Sequence, residues 1–461
     1  MPDDVKGRRE TYEKDTRIAC QYGIKCYQKN PEHHKKYKHP PPKESKKKKA
    51  KRTIFDKKRK RKNDDQVSNE SPKRKTVKTD DEITDADLDN AVTSVENNIH
   101  DNQESCGIVE EPNSSNHTEN NRKCNNLVTI SSLLKDDEIN VETDNVLPTD
   151  SQAIISCLFL TRMPKDFFQF YEFCQNVSKG NPFDALKDLH LEMVGPYDVF
   201  KKGFLNAKVE SKQALLNHWR YYYDPPEFQT VIKDNGKDGL HFGYWRDDMS
   251  EKPVFVAKNK ATVNCIIEPV AENIFGALDA HIGEKVKLAS VFEKTRISQL
   301  HQKLKSFAKE KTITLEKNTS DMQARERKVV ARTFHKAGIV VPYDKKTELG
   351  YRDLAVTDSE LQKLLKQIEH PATPEARKTP ISKLEEVIRL ATIAADECDF
   401  GTVLELSHDL FSSGVTHIQT KTLNLFSLAY NLLQRPELLK IAEAHFENRR
   451  RGLNLSVLRF E

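Results

Sequence analysis

The chain has 461 residues, 75 Lys and Arg against 70 Asp and Glu, and only 36% apolar side chains. That length allows two or three ordinary domains, while the apolar share falls below the roughly 45–50% of a globular chain, so a folded part diluted by a disordered part is expected. A membrane protein is excluded on this reading: the longest apolar run, Ala153 to Leu160, is interrupted by Ser156 and Cys157 and is far short of the ~20 residues a spanning helix needs. The first residues, MPDDVKGRRE, lack the apolar stretch of a secretory signal.

The net charge of +5 hides three blocks. Residues 1–80 carry 27 basic and 12 acidic side chains, residues 81–150 carry 3 basic and 17 acidic, and residues 151–461 are close to balance. Along the first block, residues 1–16 read as disordered. Next comes CQYGIKCYQKNPEHHKKYKHP, with five residues between Cys20 and Cys26, six before His33 and five more before His39. Two thiolates and two imidazoles suit tetrahedral zinc, and so few apolar residues surround them that the segment 17–42 needs the metal to fold. His34 competes with His33 for the third position. The other cysteines are scattered singly and form no disulfide framework.

The clusters KKKKAKR (Lys46–Arg52), KKRKRK (Lys57–Lys62) and PKRK (Pro72–Lys75) make 43–80 a solvated basic arm. Such an arm serves as a nuclear-import signal, and the same lysines can contact DNA phosphates. Residues 81–150, rich in Asp, Asn, Ser, Glu and Thr, bury too little to offset chain entropy and read as an acidic disordered linker.

The texture changes after 150. Phe167, Phe168, Phe170, Tyr171 and Phe173 fit a buried amphipathic helix, and MVGPYDVF (Met193–Phe200) holds a Gly-Pro turn. The stretches Asn217–Ile232, Gly239–Asp248 and Pro253–Asn259 read as strands, the first broken by Pro225-Pro226. The fold class is therefore α+β: an antiparallel-sheet-containing half, 151–275, packed with a mostly helical half, 276–461. In the latter, Ile381, Leu384, Ile388, Ala391 and Ala395 line one helix face. Val403, Leu404, Leu410 and Phe411 line a second, and Leu423, Phe426, Tyr430 and Leu433 a third. Strand and loop are expected around Val340–Leu354.

No phosphate-cradling glycine loop or nucleophile elbow is present, and His408 and His417 fall into no nucleophile–base pattern, so an autonomous enzyme is not supported. One dense acidic cluster stands out: Asp396, Glu397 and Asp399, where the helix from Ile381 ends. Carboxylates there oppose the negative end of the helix dipole, a cost that suggests another use. Crowded like charges are expected to raise a carboxyl pKa and make it a better proton acceptor near neutral pH. The alternative is a hydrated turn in which Asp399 or Asp396 caps the next helix.

Two resemblances follow from these residues. Arg17, Cys20, Tyr22-Gly23, Cys26-Tyr27, His33, His39 and Pro40 resemble the poly(ADP-ribose)-binding zinc finger, with Gln28 where that family prefers Arg. The resemblance implies zinc on Cys20, Cys26, His33 and His39, adenine stacked on Tyr22 and Tyr27, and phosphate paired with Arg17. In the body, VGPYD, WRYYYDPPEFQT, TFHKAG with VVPYDK, GYRDL and ADECDFG together resemble the histone PARylation factor family, in the same order and over nearly all of 151–461. That family is a nuclear accessory factor without activity of its own. It docks on the catalytic domain of a DNA-break-activated poly(ADP-ribose) polymerase, which binds the NAD, and redirects ADP-ribosylation to serine, notably on histones. The resemblance implies that Glu397 is the catalytic glutamate, Asp396 its partner-contacting neighbour, and Tyr351 with Arg352 the pair that engages the polymerase. It also implies work in the nucleus, on chromatin at DNA breaks. Phe400 and Asp353 depart from the family's Tyr and Glu. The competing class is a non-catalytic chromatin and poly(ADP-ribose) reader with the body as interaction scaffold.

Overall fold

The computed structural model describes residues 15–19, 35–38, 127–137, 139 and 148–460. The chain divides into two units, Met1–Arg122 and Lys123–Glu461. In the first, Ile18–Ala19 and Tyr37–Lys38 pair as parallel strands. Cys20, Cys26, His33, His39, Tyr22, Tyr27 and the basic arm lie outside the described residues. Cys20 and His39 directly follow the two paired strands in sequence.

The second unit is built on a five-stranded antiparallel sheet in the order Leu191–Met193, Phe228–Asp234, Leu240–Trp245, Phe255–Lys260 and Glu268–Ala271. Strand periodicity sends alternate side chains to opposite faces. Ile232, Phe242, Tyr244 and Val256 enter one core, while Phe228, Trp245, Phe255 and Ala257 enter a smaller one behind the sheet. Against the first face lies the helix Lys165–Val177, which buries Phe167, Phe170, Phe173 and Cys174 at helical spacing. A second core joins the helices Asp358–Glu369, Lys378–Asp396, Phe400–Ser413, Gln419–Leu432 and Pro436–Glu447. The architecture is α+β, and the three apolar helix faces read from the sequence all enter this second core.

Three expectations need correction. The acidic linker is not disordered to residue 150. Val128–Thr129 pairs antiparallel with Lys208–Val209, and Ile130–Asp136 is a helix that buries Ile130 and Leu134 in the first core. Two aliphatic side chains at i and i+4 suffice to anchor that acidic stretch. The boundary at 275/276 is also too early. Helices Ile274–Leu288 and Val291–Glu310 pack into the first core through Phe275, Leu278, Leu304 and Phe307, and the second core begins near Ala331.

The strand expected over Asn217–Ile232 starts only at Phe228. Ahead of it the chain turns around buried Asp224, whose carboxylate accepts from Tyr221 N at 3.0 Å and Thr230 Oγ1 at 2.8 Å and bonds His241 Nε2 at 2.8 Å. Buried Arg220 donates to the carbonyls of Leu216, Pro225 and Phe228. These polar groups satisfy the backbone of a buried non-strand segment, which β-propensity does not register.

Arg459 joins the two-stranded pairing of Val128–Thr129 with Lys208–Val209. Lys208 and Arg459 exchange two backbone hydrogen bonds of 2.9 Å, beside the Val128–Thr129 pairing. The two cores meet at a polar seam where Glu227, before the strand Phe228–Asp234, accepts from Tyr430 Oη at 2.8 Å and bonds His408 Nε2 at 3.2 Å.

Candidate functional site

The helix Lys378–Asp396 ends without a basic residue in its last turn. Its orphan carbonyls are met instead by the chain's own reversal: Cys398 N bonds Ala395 O and Asp399 N bonds Ala394 O, both at 2.9 Å. This pairing is the Schellman arrangement, which needs a left-handed residue just past the cap. Cys398 fills it at φ 71°. Only Glu397, Cys398 and Asp399 separate this helix from the next, Phe400–Ser413, so the corner is tight and Glu397 is held as the C-cap.

A second segment is stitched onto the corner. Gly350 N donates to Asp399 Oδ1 at 3.0 Å and Gly350 O accepts from Gly401 N at 2.8 Å. Arg352 N donates to Thr402 Oγ1 at 3.1 Å, and the same hydroxyl returns a bond to Arg352 O at 2.7 Å. One otherwise free N–H of the helix start, that of Gly401, is thus paired with the loop, and two side chains of the corner take the loop's own N–H groups. Two glycines permit the approach. A Cβ on Gly350, at φ 112°, would lie 2.1 Å from Pro342 O, and one on Gly401 would meet Val341 at 2.9 Å and Gly350 O at 3.0 Å.

This stitching brings Arg352 to Glu397. Its Nη1 lies 2.5 Å from Glu397 Oε2, and its Nε lies 3.5 Å from Asp399 Oδ2. Among the described residues Arg352 makes no ion pair with its neighbours Asp353 or Asp344. The Arg352 side chain is 43% exposed, over Glu397 at 13% and Asp399 at 11%. Its guanidinium supplies the cation that the helix end lacks. Asp396, the last helical residue, is exposed and makes no ion pair among the described residues. Asp399 is the N-cap of the following helix by position, yet its carboxylate bonds Gly350 rather than capping that helix.

The raised carboxyl pKa expected in this cluster falls on Asp399, through burial, partly offset by the Gly350 N–H and the Arg352 charge. The larger rise belongs to Glu405, pushed up to about 7 by burial, with the Tyr351 hydroxyl opposing. Tyr351 Oη donates to Glu405 Oε2 at 3.1 Å, so Tyr351 points into the second core while its neighbour Arg352 points out. Sequence reasoning missed Glu405. The available signal was a carboxylate in the otherwise apolar run FGTVLELSHDLF, eight residues past Glu397.

A pH prediction follows. Between the unfolded value of 4.5 and about 7 the folded chain holds a proton on Glu405 that the unfolded chain has lost. Its stabilising share is full below 4.5 and lost as pH rises through 7. Glu405→Gln keeps an acceptor for Tyr351 without the ionisation. It is expected to gain about 2–3 kcal/mol over the parent near pH 8.5 and under about 1 kcal/mol near pH 5, read by urea denaturation at both. Equal differences at the two pH values would rule this out.

For the metal, the described residues include no cluster of three or more ligand side chains. The four donors of 17–42 lie outside them, and their chemistry, two thiols and two imidazoles, fits zinc. Arg17 is paired with Asp15, which that guanidinium draws down to about 2.

Residues 17–42 match the family described as the PBZ domain, and residues 150–449 match the family described as Histone PARylation factor 1. The Histone PARylation factor 1 of Mus musculus is 39% identical over 308 residues, covering 65% of this chain and 87% of the relative. That of Danio rerio is 39% identical over 318 residues, covering 68% and 89%. The Putative histone PARylation factor 1-like protein of Homo sapiens is 37% identical over 294 residues, covering 63% and 84%. With its sheet, its helical second core and the Glu397 corner all inside the matched span, the chain belongs to the histone PARylation factor 1 family.

Proposed function

We propose that the body completes the active site of a DNA-damage-activated poly(ADP-ribose) polymerase and that Glu397 takes the proton from the acceptor serine, on histones among other targets. The polymerase holds the NAD. The serine Oγ attacks the anomeric carbon of the nicotinamide-bearing ribose, the glycosidic C–N bond breaks, and nicotinamide leaves with the bonding electrons. The hydroxyl proton passes to the Glu397 carboxylate. A serine needs such a base, since its hydroxyl is a poor nucleophile while protonated. On its own the chain has no such activity.

The single observation that carries this reading is the contact between Arg352 and Glu397. An exposed guanidinium occupies one oxygen of a largely covered carboxylate, so Glu397 is engaged in the isolated chain. A carboxylate on the polymerase can take the Arg352 fork in exchange, one ion pair replacing another, and release Glu397 at the new interface. Asp396, exposed beside it, and Tyr351, which fixes the loop through Glu405, complete the docking surface.

One reaction tests the proposal: polymerase, NAD, DNA ends and a histone peptide, with and without this chain, assayed for serine-linked ADP-ribose. Serine-linked product is expected only with the chain present. A reader that merely binds chromatin would leave the product unchanged.

The second part concerns 17–42. With zinc on Cys20, Cys26, His33 and His39, the metal fixes the fold of the segment, which presents Tyr22 and Tyr27 for stacking and Arg17 for phosphate. The basic arm directs the chain to the nucleus and adds DNA contacts, and the finger retains it on polymer at the break. Cys26→Ala is expected to abolish zinc uptake and polymer retention while leaving the body's activity in the purified reaction. Unchanged retention on immobilised poly(ADP-ribose) would overturn the assignment.

A further inference from the structure

A cavity of about 830 Å³ opens among the loop after Leu240–Trp245, the helix Ser320–Glu326 and the segment from Val340 to Lys345. That volume falls in the range of small-ligand pockets. Two arginines in its wall are each less than one-tenth exposed, Arg325 at 6% and Arg435 at 8%. Arg325 is fully engaged. Its fork grips Asp247 at 2.8 and 3.0 Å, and its other donors meet the carbonyls of Ala337 and Gly338.

Arg435 is not. Its Nη2 donates to Val340 O at 3.0 Å, but its buried Nε has no hydrogen-bond partner among the described residues. Asp248 Oδ2 stands 3.7 Å from that Nε, an ion pair too long for a hydrogen bond. On the rim, Arg327, Lys328 and Lys345 make no ion pair among the described residues, whereas Lys252 is held by Asp321 at 2.9 Å. Six cations against four carboxylates line the hollow, so its field favours an anion. Tyr343 lines the same hollow and stands edge-on to Tyr351, ring centres 6.5 Å apart.

We propose that this cavity binds a phosphate-bearing anion of mononucleotide size. Lys328, Lys345 and the guanidinium of Arg435, all in the wall of the cavity, take the phosphate, and the face of Tyr343 takes a planar ring. Cations converging from three separate segments suit a compact, multiply charged group better than carboxylates spaced along a peptide. The proposal is independent of the role given to Glu397.

The test uses the full chain and hydrogen exchange, which separates the cavity from the basic arm. Inorganic pyrophosphate is expected to slow exchange in peptides covering 320–328 and 339–345. Lys328 and Lys345 are exposed, so the Lys328→Ala/Lys345→Ala variant keeps its fold. It is expected to need about tenfold more pyrophosphate for the same protection. AMP is expected to protect at lower concentration than inorganic phosphate, and Tyr343→Ala to erase that difference. Protection confined to peptides from 43–80, or undiminished in the double variant, would overturn the proposal.

Discussion

Glu397→Gln is expected to lower serine modification by about 10²–10⁴-fold, the usual contribution of a positioned general base. The substitution keeps the size of the side chain and leaves an amide oxygen for Arg352, so the corner that holds it stays intact. On the proposed reading, docking on the polymerase rests on Arg352, Tyr351 and Asp396, and it is expected to change little. The two effects separate when the rate is measured at saturating concentrations of the chain. There, weaker docking would be overcome, whereas a missing proton acceptor would not. Full serine modification by the variant would refute the role of Glu397.

The largest stability effect is expected at the seam. Glu227 is 3% exposed, and its carboxylate joins the sheet side of the body to His408 and Tyr430 on the helical side. Burial pushes its pKa up, but His408 and the Tyr430 hydroxyl outweigh that and hold it below the usual range. Removing one partner of a buried, hydrogen-bonded pair costs about 3–5 kcal/mol, because the other groups stay buried without it. Glu227→Ala is therefore expected to lose that much in urea denaturation. Glu227→Gln, which keeps an acceptor for Tyr430, loses less. A loss under about 1 kcal/mol in the alanine variant would mean that apolar packing alone joins the two cores.

Much of this was legible in the sequence where one physical signal dominated. The aromatic run around Phe170 and the three apolar faces of the second core follow from helical spacing alone, and the helix–helix corner at Glu397 follows from the dense polar break between two of them. The meeting of Arg352 with Glu397 was not legible. It depends on a loop 45 residues away crossing a helix start through two glycines, a contact with no local signature. The segment before Phe228 misled for the opposite reason. Its tyrosines and Trp219 favour a strand, and buried Asp224 and Arg220 impose a turn through long-range hydrogen bonds. Glu405 was hidden because a carboxylate inside an apolar helix reads as solvent-facing until its burial beside Tyr351 is seen.

The short strand Lys208–Val209 has one further consequence. Val128–Thr129 lies along it and Arg459 bonds Lys208, so the entrance and exit of the body share one anchor. Topologically the body is a nearly closed ring. Its order of elements is held by packing rather than by where the polypeptide is cut. Joining residue 460 to residue 127 through a short linker and reopening the ring at the exposed turn Thr262–Asn264 would give a circular permutant with the same two cores and the same Glu397 corner.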